Sequence, residues 1–471
     1  MKRPNILLVY TDQQRWDALG VNGNGEIISP NLDALAARGT NFSRHFVQNP
    51  VCMPSRVSML SSQYPSTLRI THMGVPVPQD LMTLPRLLKQ YGYRTANIGK
   101  LHFLPHANRD HRQPHPSYGF DVLEVADEPG VYEDAYRAWV RRQAPDQMDA
   151  ISAGLPPNTS VWQRAMGIDD GIKHRGEPQG RHDFKRAIPF AADDHLTYSA
   201  FVGARTTEFI EAAGAEPFFC IASFYSPHAP WIAPQTYLDM YDANGLSLPE
   251  YPAEIDRRRP ADPNALCSDE QLRSAKQGYY AMISEVDYYV GRILDALDKT
   301  GKREETIIVF TSDHGEWLGD HLRFGKGYPA DDAVSRVPLI ISAPGAPEAR
   351  QYDGIVEAVD IVPTLLELAA IQTPPFMQGE SLANLIMGQD VRRKRAALTE
   401  GTGWKSLRIP RFRYLIHADG RESLWDLALD PGAYHDLAEE PGYEGELTAC
   451  RRYLLTRLLE MERPRERTWT Y

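Results

Sequence analysis

Two short apolar runs constrain this chain more than any other feature. Residues 5–10 (NILLVY) and 306–311 (TIIVFT) are unbroken by charge, and each ends abruptly in polar side chains. Thr11-Asp12 follows the first and Ser312-Asp313-His314 the second. A run without polar alternation suits a strand covered on both faces, as in a parallel sheet flanked by helices. Ligands of such sheets collect beyond the carboxyl ends of the strands, where Asp12 and Asp313 fall. Further strands are expected at 93–98, 218–224 and 337–342. Helical spacing marks 31–38, stopped by Gly39, and 279–298, closed by Thr300-Gly301. Strands alternating with helices predict a doubly wound α/β sheet.

A chain of 471 residues suits one large domain of this kind with a smaller companion. After a helix around 360–370, Thr373-Pro374-Pro375 marks a turn. The expected division is a catalytic α/β domain over 1–375 and a smaller α+β domain over 376–471. The latter would hold strands near 396–399 and 412–417 and a basic helix over 447–461. Residues from about 104 to 190 are rich in Pro, His, Arg and Gly and weak in periodicity. They are read as an insertion of loops and short helices covering the active site. A net charge of −11 argues against a nucleic-acid partner, which would call for a basic excess. Cys52, Cys220, Cys267 and Cys450 are far apart and fit neither a zinc site nor a disulfide framework. No apolar run approaches the roughly 20 residues that span a bilayer, and no secretory segment stands at the start. The expectation is a cytoplasmic protein with no membrane partner.

The most informative segment is Val51-Cys52-Met53-Pro54-Ser55-Arg56. Pro54 favours the first turn of a helix. A cysteine there lies beside free backbone N–H groups and a cation, a position that receives anions. On chemistry alone a buried structural cysteine is an equal reading.

Cys-x-Pro-Ser-Arg resembles the signature of the type I sulfatases, within the alkaline phosphatase superfamily, and the resemblance covers most of the chain. Residues 4–12 (PNILLVYTD) look like that family's opening strand and first metal ligand. Thr311-Ser312-Asp313-His314-Gly315 resembles its second metal-binding segment, and Gly99-Lys100-Leu101-His102 its Gly-Lys-x-His element. Ser226-Pro227-His228 and Gly325-Lys326-Gly327 match two further active-site segments, and Leu424-Trp425-Asp426-Leu427 its C-terminal hairpin. The resemblance implies an alkaline-phosphatase-like fold and cleavage of a sulfate monoester, on a small molecule or a carbohydrate. It implies that Cys52 is oxidised to formylglycine (3-oxoalanine) by a separate maturation enzyme. One hydroxyl of the hydrate attacks, and the other loses its proton and expels sulfate, so covalent catalysis carries its own release step.

The resemblance also implies the roles. Asp12, Gln13, Asp313 and His314, with the oxygen at position 52, would hold one divalent ion. Mostly oxygen donors make Ca²⁺ the first choice, with Mg²⁺ and Mn²⁺ behind it. Lys100 and Lys326 would hold the sulfuryl charge, and Arg56 would orient the nucleophile. His228 is the candidate acid for the leaving oxygen and His102 the candidate base for the second diol proton. Gln13 and His314 depart from the aspartate and asparagine of many sulfatases and lean toward the phosphonate monoester and phosphodiester hydrolases of the same superfamily. Lys100 and His102 lean back toward the sulfatases. A sulfatase-shaped binding protein without activity is the reading from another class. Arg15 and Asp17 are candidates either for the site or for structural ion pairs. In the insertion Arg109, His111, Arg112, His115, His174, Arg175, Arg181, His182 and Lys185 would be a solvated basic surface or a lid for an acidic substrate. The tail 451–471, long, basic and aromatic-ended, is compatible with a homo-oligomer.

Overall fold

The structure is a computed structural model that describes residues 3–107, 109–154, 159–169, 171–172, 186–259, 268–389 and 394–462. Its strands in chain order are β1 (Asn5–Thr11), β2 (Thr40–Phe46), β3 (Arg94–Gly99), β4 (Val122–Val125), β5 (Ile188–Pro189), β6 (Phe218–Ser223), β7 (Ile232–Ala233), β8 (Thr306–Ser312), β9 (Arg336–Val337), β10 (Leu339–Ser342), β11 (Arg350–Glu357), β12 (Ala397–Gly401), β13 (Trp404–Arg408), β14 (Phe412–His417) and β15 (Glu422–Asp426). Nine of them form one sheet in the order β11-β2-β10-β8-β1-β6-β3-β4, with β9 pairing β2. β1 lies between β6 and β8 and runs parallel to both, with Leu8 opposite Ile221 and Val309. β10 is antiparallel to both neighbours and β9 is antiparallel to β2, so the sheet is mostly parallel with two consecutive reversed strands.

The unbroken apolar runs are explained by what covers them. Ile6 and Leu8 of β1 join one core with Ile307, Val309, Leu365 and Ile386. Leu7 and Val9 join the opposite core with Phe201, Val286, Val290 and Ile308. Each such side chain taken from water contributes about 1.5–3 kcal/mol, so both faces of β1 resist polar substitution. The helix Asp269–Lys299 is longer than periodicity suggested. Ser268 and Gln271 close a capping box at its start, which adds ten residues before position 279. The strand expected over 337–342 is broken at Pro338 into β9 and β10, because proline cannot donate to the ladder.

The region read as an insertion is not wholly one. β4 lies inside it and pairs with β3 at the sheet edge. Beside it stand the helices Ala135–Gln143 and Thr159–Met166. His174, Arg175, Arg181, His182, Lys185 and Cys267 lie outside the described residues. The second sheet, β12-β13-β14-β15, is antiparallel throughout, and the helix Glu444–Met461 packs its Leu447, Cys450 and Leu454 against Leu398, Leu407 and Tyr414. Among the described residues no helix is long and apolar enough to cross a membrane.

Candidate active site

The carboxyl ends of β1, β3, β6 and β8 converge where the parallel sheet predicts. β1 delivers Asp12 and Gln13, β8 delivers Asp313 and His314, and β3 ends at Lys100 and His102. The segment after β6 carries Tyr225 and His228. The helix Cys52–Ser61 starts at the same place, with Cys52 as its first residue and Val51 extended before it. All ten of its residues are buried. Its first N–H groups and the positive end of its dipole meet the cluster.

Asp12, Cys52, Asp313 and His314 bring one ligand atom each within 4.8 Å of one another. The two aspartates divide their oxygens in the same way. Asp12 gives Oδ2 to Lys100 Nζ at 2.8 Å and to Arg56 at 3.3 Å. Asp313 gives Oδ2 to Arg56 Nε at 2.6 Å. Both Oδ1 atoms stand 3.6 Å from His314 Nε2. His314 Nδ1 donates to the Gly315 carbonyl at 2.8 Å, which leaves the Nε2 lone pair for the cluster. Cys52 Sγ, marking the place of the oxygens that a formylglycine hydrate would carry, is 3.1 Å from that Nε2. Donors at right angles around an ion with bonds of about 2.4 Å lie about 3.4 Å apart, so these spacings fit a divalent cation. Gln13 Oε1, buried and without a protein hydrogen-bond partner, is a fifth donor of the right kind.

The charges around this cluster are set by burial against close cations. Burial alone would raise the Asp12 carboxyl, but the Lys100 cation first, with Lys326 and Arg56, holds it well below the usual range. Burial pushes the Cys52 thiol up to about 12, with Asp12 adding to the effect and Lys326 and Lys100 opposing it. Burial would lower the Lys326 ammonium, yet Cys52 and Asp12 hold it above its ordinary value. Its Nζ donates to Cys52 Sγ at 2.7 Å and stands 2.9 Å from His228 Nε2. Lys100 lies over the Tyr225 ring at 4.9 Å.

The two candidate histidines are held differently. His228 Nδ1 donates to the Ala229 carbonyl at 2.6 Å, so its Nε2 receives the Lys326 proton. Burial and Lys326 together hold its imidazole well below its ordinary pKa. It is therefore a neutral acceptor coupled to a charged lysine. His102 is buried at positive φ, 55°, and its backbone N–H donates to Asp127 at 3.0 Å. Both of its ring nitrogens lack a hydrogen-bond partner, and burial, then Lys100, keep the ring neutral. It stands edge-on to His106 at 4.9 Å and, among the described residues, makes no hydrogen bond to Cys52.

Residues that sequence reasoning did not single out complete the site. Ser223, at the end of β6, accepts from Arg56 at 3.0 Å and donates to the Lys100 carbonyl at 2.6 Å. Glu316, directly after the Asp-His-Gly segment, accepts from the Gln13 amide. Glu128 is buried, 3.6 Å from His106, and interacts with Lys100. Position beside a motif could have flagged Ser223 and Glu316; nothing in the Pro- and His-rich stretch distinguished Glu128. Arg15 pairs with Asp17 and Asp320, each at 2.7 Å, which is the structural reading of that pair. Arg109 stands 3.6 Å from Asp127, and Arg112 pairs with Asp110 at 2.9 Å.

The model of the family described as Sulfatase matches residues 4–371. The chain belongs to the sulfatase family. A second model, described as N-sulphoglucosamine sulphohydrolase, C-terminal, matches residues 319–461 of this sulfatase. An arylsulfatase of Clostridium perfringens is 29% identical, covering 97% of this chain and 94% of its own. An ulvan-active sulfatase of Formosa agariphila is 29% identical, over 94% of this chain and 78% of its own. Among solved structures, a phosphonate monoester hydrolase of Agrobacterium radiobacter superposes with a TM-score of 0.82 at 25% identity, covering 98% and 96% of the two chains. Family and relatives together support a sulfatase, an enzyme that hydrolyses sulfate esters.

Proposed function

We propose that this sulfatase cleaves sulfate monoesters with a formylglycine hydrate at position 52 beside one divalent ion, Ca²⁺ first. The observation that carries the reading is the placement of Cys52 Sγ, 2.7 Å from Lys326 Nζ and 3.1 Å from His314 Nε2. Asp12, Gln13, Asp313 and His314 would hold the ion. Bound there, it would polarise an ester oxygen and acidify the attacking hydroxyl. The chain's own residues do the rest. Arg56 fixes both aspartates, so the ligand set is formed before substrate arrives. Lys100 and Lys326 face the sulfuryl oxygens as buried cations, where dispersed negative charge is stabilised most. The proton for the leaving oxygen comes from the Lys326–His228 couple, the lysine bearing it at rest. His102, neutral with two free ring nitrogens, takes the second diol proton.

The couple predicts a dependence on the leaving group. His228→Ala should slow alkyl or sugar sulfates by about 10²–10⁴-fold, the range of a lost proton transfer. Aryl sulfates with good leaving groups should lose far less. Steady-state rates on the two substrate types check this, and equal losses would remove the role.

A sulfated carbohydrate is the first substrate reading, supported by the ulvan-active relative. Arg109 and Arg112 add little to it, because both are already paired with acids. Hydrolysis of phosphonate monoesters is the second reading, favoured by Gln13, His314 and the superposition on the Agrobacterium enzyme. The test is protein co-expressed with a sulfatase-maturing enzyme. The mass of the Cys52 peptide reports formylglycine, and kcat/KM is then compared on nitrophenyl sulfate and a phenyl phosphonate ester. The sulfate ester is expected to be preferred. A preference for the phosphonate in fully converted protein would exchange the two readings.

A further inference from the structure

We propose that Glu316 is a positioning residue that sets which end of the Gln13 amide faces the metal cluster. The inference rests on the metal reading above. An amide is nearly symmetric in shape, with an acceptor at one end and a donor at the other. Only the oxygen can ligate a cation, and a flipped amide would present N–H groups to it. Whatever bonds the far end therefore decides whether the residue is a ligand. Glu316 is fully buried and Gln13 is 2% exposed, so water does not compete for the choice. The Glu316 Oε2 atom accepts from Gln13 Nε2, and an ionised carboxylate offers no donor in return. Gln13 Oε1 is left buried and unpartnered, on the same residue whose backbone N–H donates to Asp313 Oδ1 at 3.1 Å.

The rest of Gln13 is pinned to match. Its φ of 72° is costly for a residue with a side chain, and its carbonyl accepts from the Tyr279 hydroxyl at 2.7 Å. Glu316 Oε1 meanwhile accepts from the Leu318 N–H at 3.0 Å and from the Gly325 N–H. One carboxylate thus bonds both the amide ligand and the residue before Lys326. A neutral ligand backed by an anion is also a better donor than an amide alone. The charge an aspartate at position 13 would bring stands one hydrogen bond further back.

The alternative is that Glu316 merely braces the turn up to Gly325. An isosteric exchange separates the two. In Glu316→Gln the amide oxygen can still accept from Leu318 and Gly325, so the turn is kept. Its NH₂ then faces Gln13 and favours the flipped amide. In Gln13→Glu/Glu316→Gln the donor and acceptor trade places, and an oxygen again faces the cluster. Ca²⁺ affinity of the full chain is measured by chelator competition for wild type and both variants, with the melting temperature alongside. Glu316→Gln should bind Ca²⁺ about 10–100-fold more weakly, the usual loss for such a partner, at a nearly unchanged melting temperature. The exchange should return the affinity to the wild-type level or tighter. Wild-type affinity in Glu316→Gln, or a loss that persists in the exchange, overturns the inference and leaves the metal reading standing. A wild-type chain that binds neither Ca²⁺, Mg²⁺ nor Mn²⁺ overturns both.

Discussion

Cys52→Ala is expected to abolish ester hydrolysis while leaving the protein folded. The side chain is fully buried at the first position of its helix, so nothing else can take its place beside Lys326 and His314. Loss of a covalent nucleophile usually costs about 10⁴-fold or more in turnover. The structural cost is small by comparison. One sulfur atom is removed, and the helix keeps its packing through Val57 and Leu60, so the melting temperature should move by only a few degrees. A third preparation decides what the nucleophile is. Wild-type protein made without a maturing enzyme, and shown by mass to hold cysteine, should be as inactive as the alanine variant. Burial raises that thiol to about 12, and a neutral thiol is a weak nucleophile. Full activity in the unconverted protein would replace formylglycine by a thiolate. Unchanged turnover in Cys52→Ala would end the mechanism altogether.

How much of this was legible follows from where the information lies along the chain. β1 and β8 could be read because burial on both faces leaves an unbroken apolar run, and their polar ends then located Asp12 and Asp313. β2 and β11 could not. Their sequences, TNFSRHF and RQYDGIVE, carry charge, and each is partly exposed in its burial pattern, so neither of the two periodic patterns is clear. β4 is four residues of a strand in a stretch whose composition says loop. The motif residues were legible individually, and the structure brings nine of them, Asp12, Gln13, Cys52, Arg56, Lys100, His228, Asp313, His314 and Lys326, into one connected cluster. What spacing could not express is which atom of each is free. The His228 proton sits on Nδ1 because the Ala229 carbonyl is beside it. The Gln13 oxygen is free because Glu316, 303 positions away, takes the nitrogen. Such choices are made by contacts between distant segments and leave no local trace.

Arg56→Ala should cause the largest loss of stability in the site. Its guanidinium is almost wholly buried. It bonds Asp313 at 2.6 Å and Asp12 at 3.3 Å, donates to the Lys100 carbonyl at 2.9 Å and to Ser223 at 3.0 Å, and lies over the Tyr10 ring at 4.7 Å. Truncation leaves two buried carboxylates, of which Asp12 keeps Lys100 at 2.8 Å and Asp313 loses its partner at 2.6 Å. Breaking a buried pair in this way costs about 3–5 kcal/mol, to be read from chemical denaturation in a metal-free buffer. The sign with pH is fixed by Asp12. Its carboxyl is held below the usual range by Lys100 and other cations, Arg56 among them. The stabilisation it brings is therefore present above its unfolded value of about 4 and is lost as pH falls through the lower folded value. The gap between wild type and variant should be full at neutral pH and narrow in acid. Added Ca²⁺ should narrow it too, because an ion in the cluster replaces part of the missing positive charge. A variant as stable as wild type at neutral pH without metal would mean that the two aspartates do not depend on Arg56, and the preformed ligand set would have to be held another way.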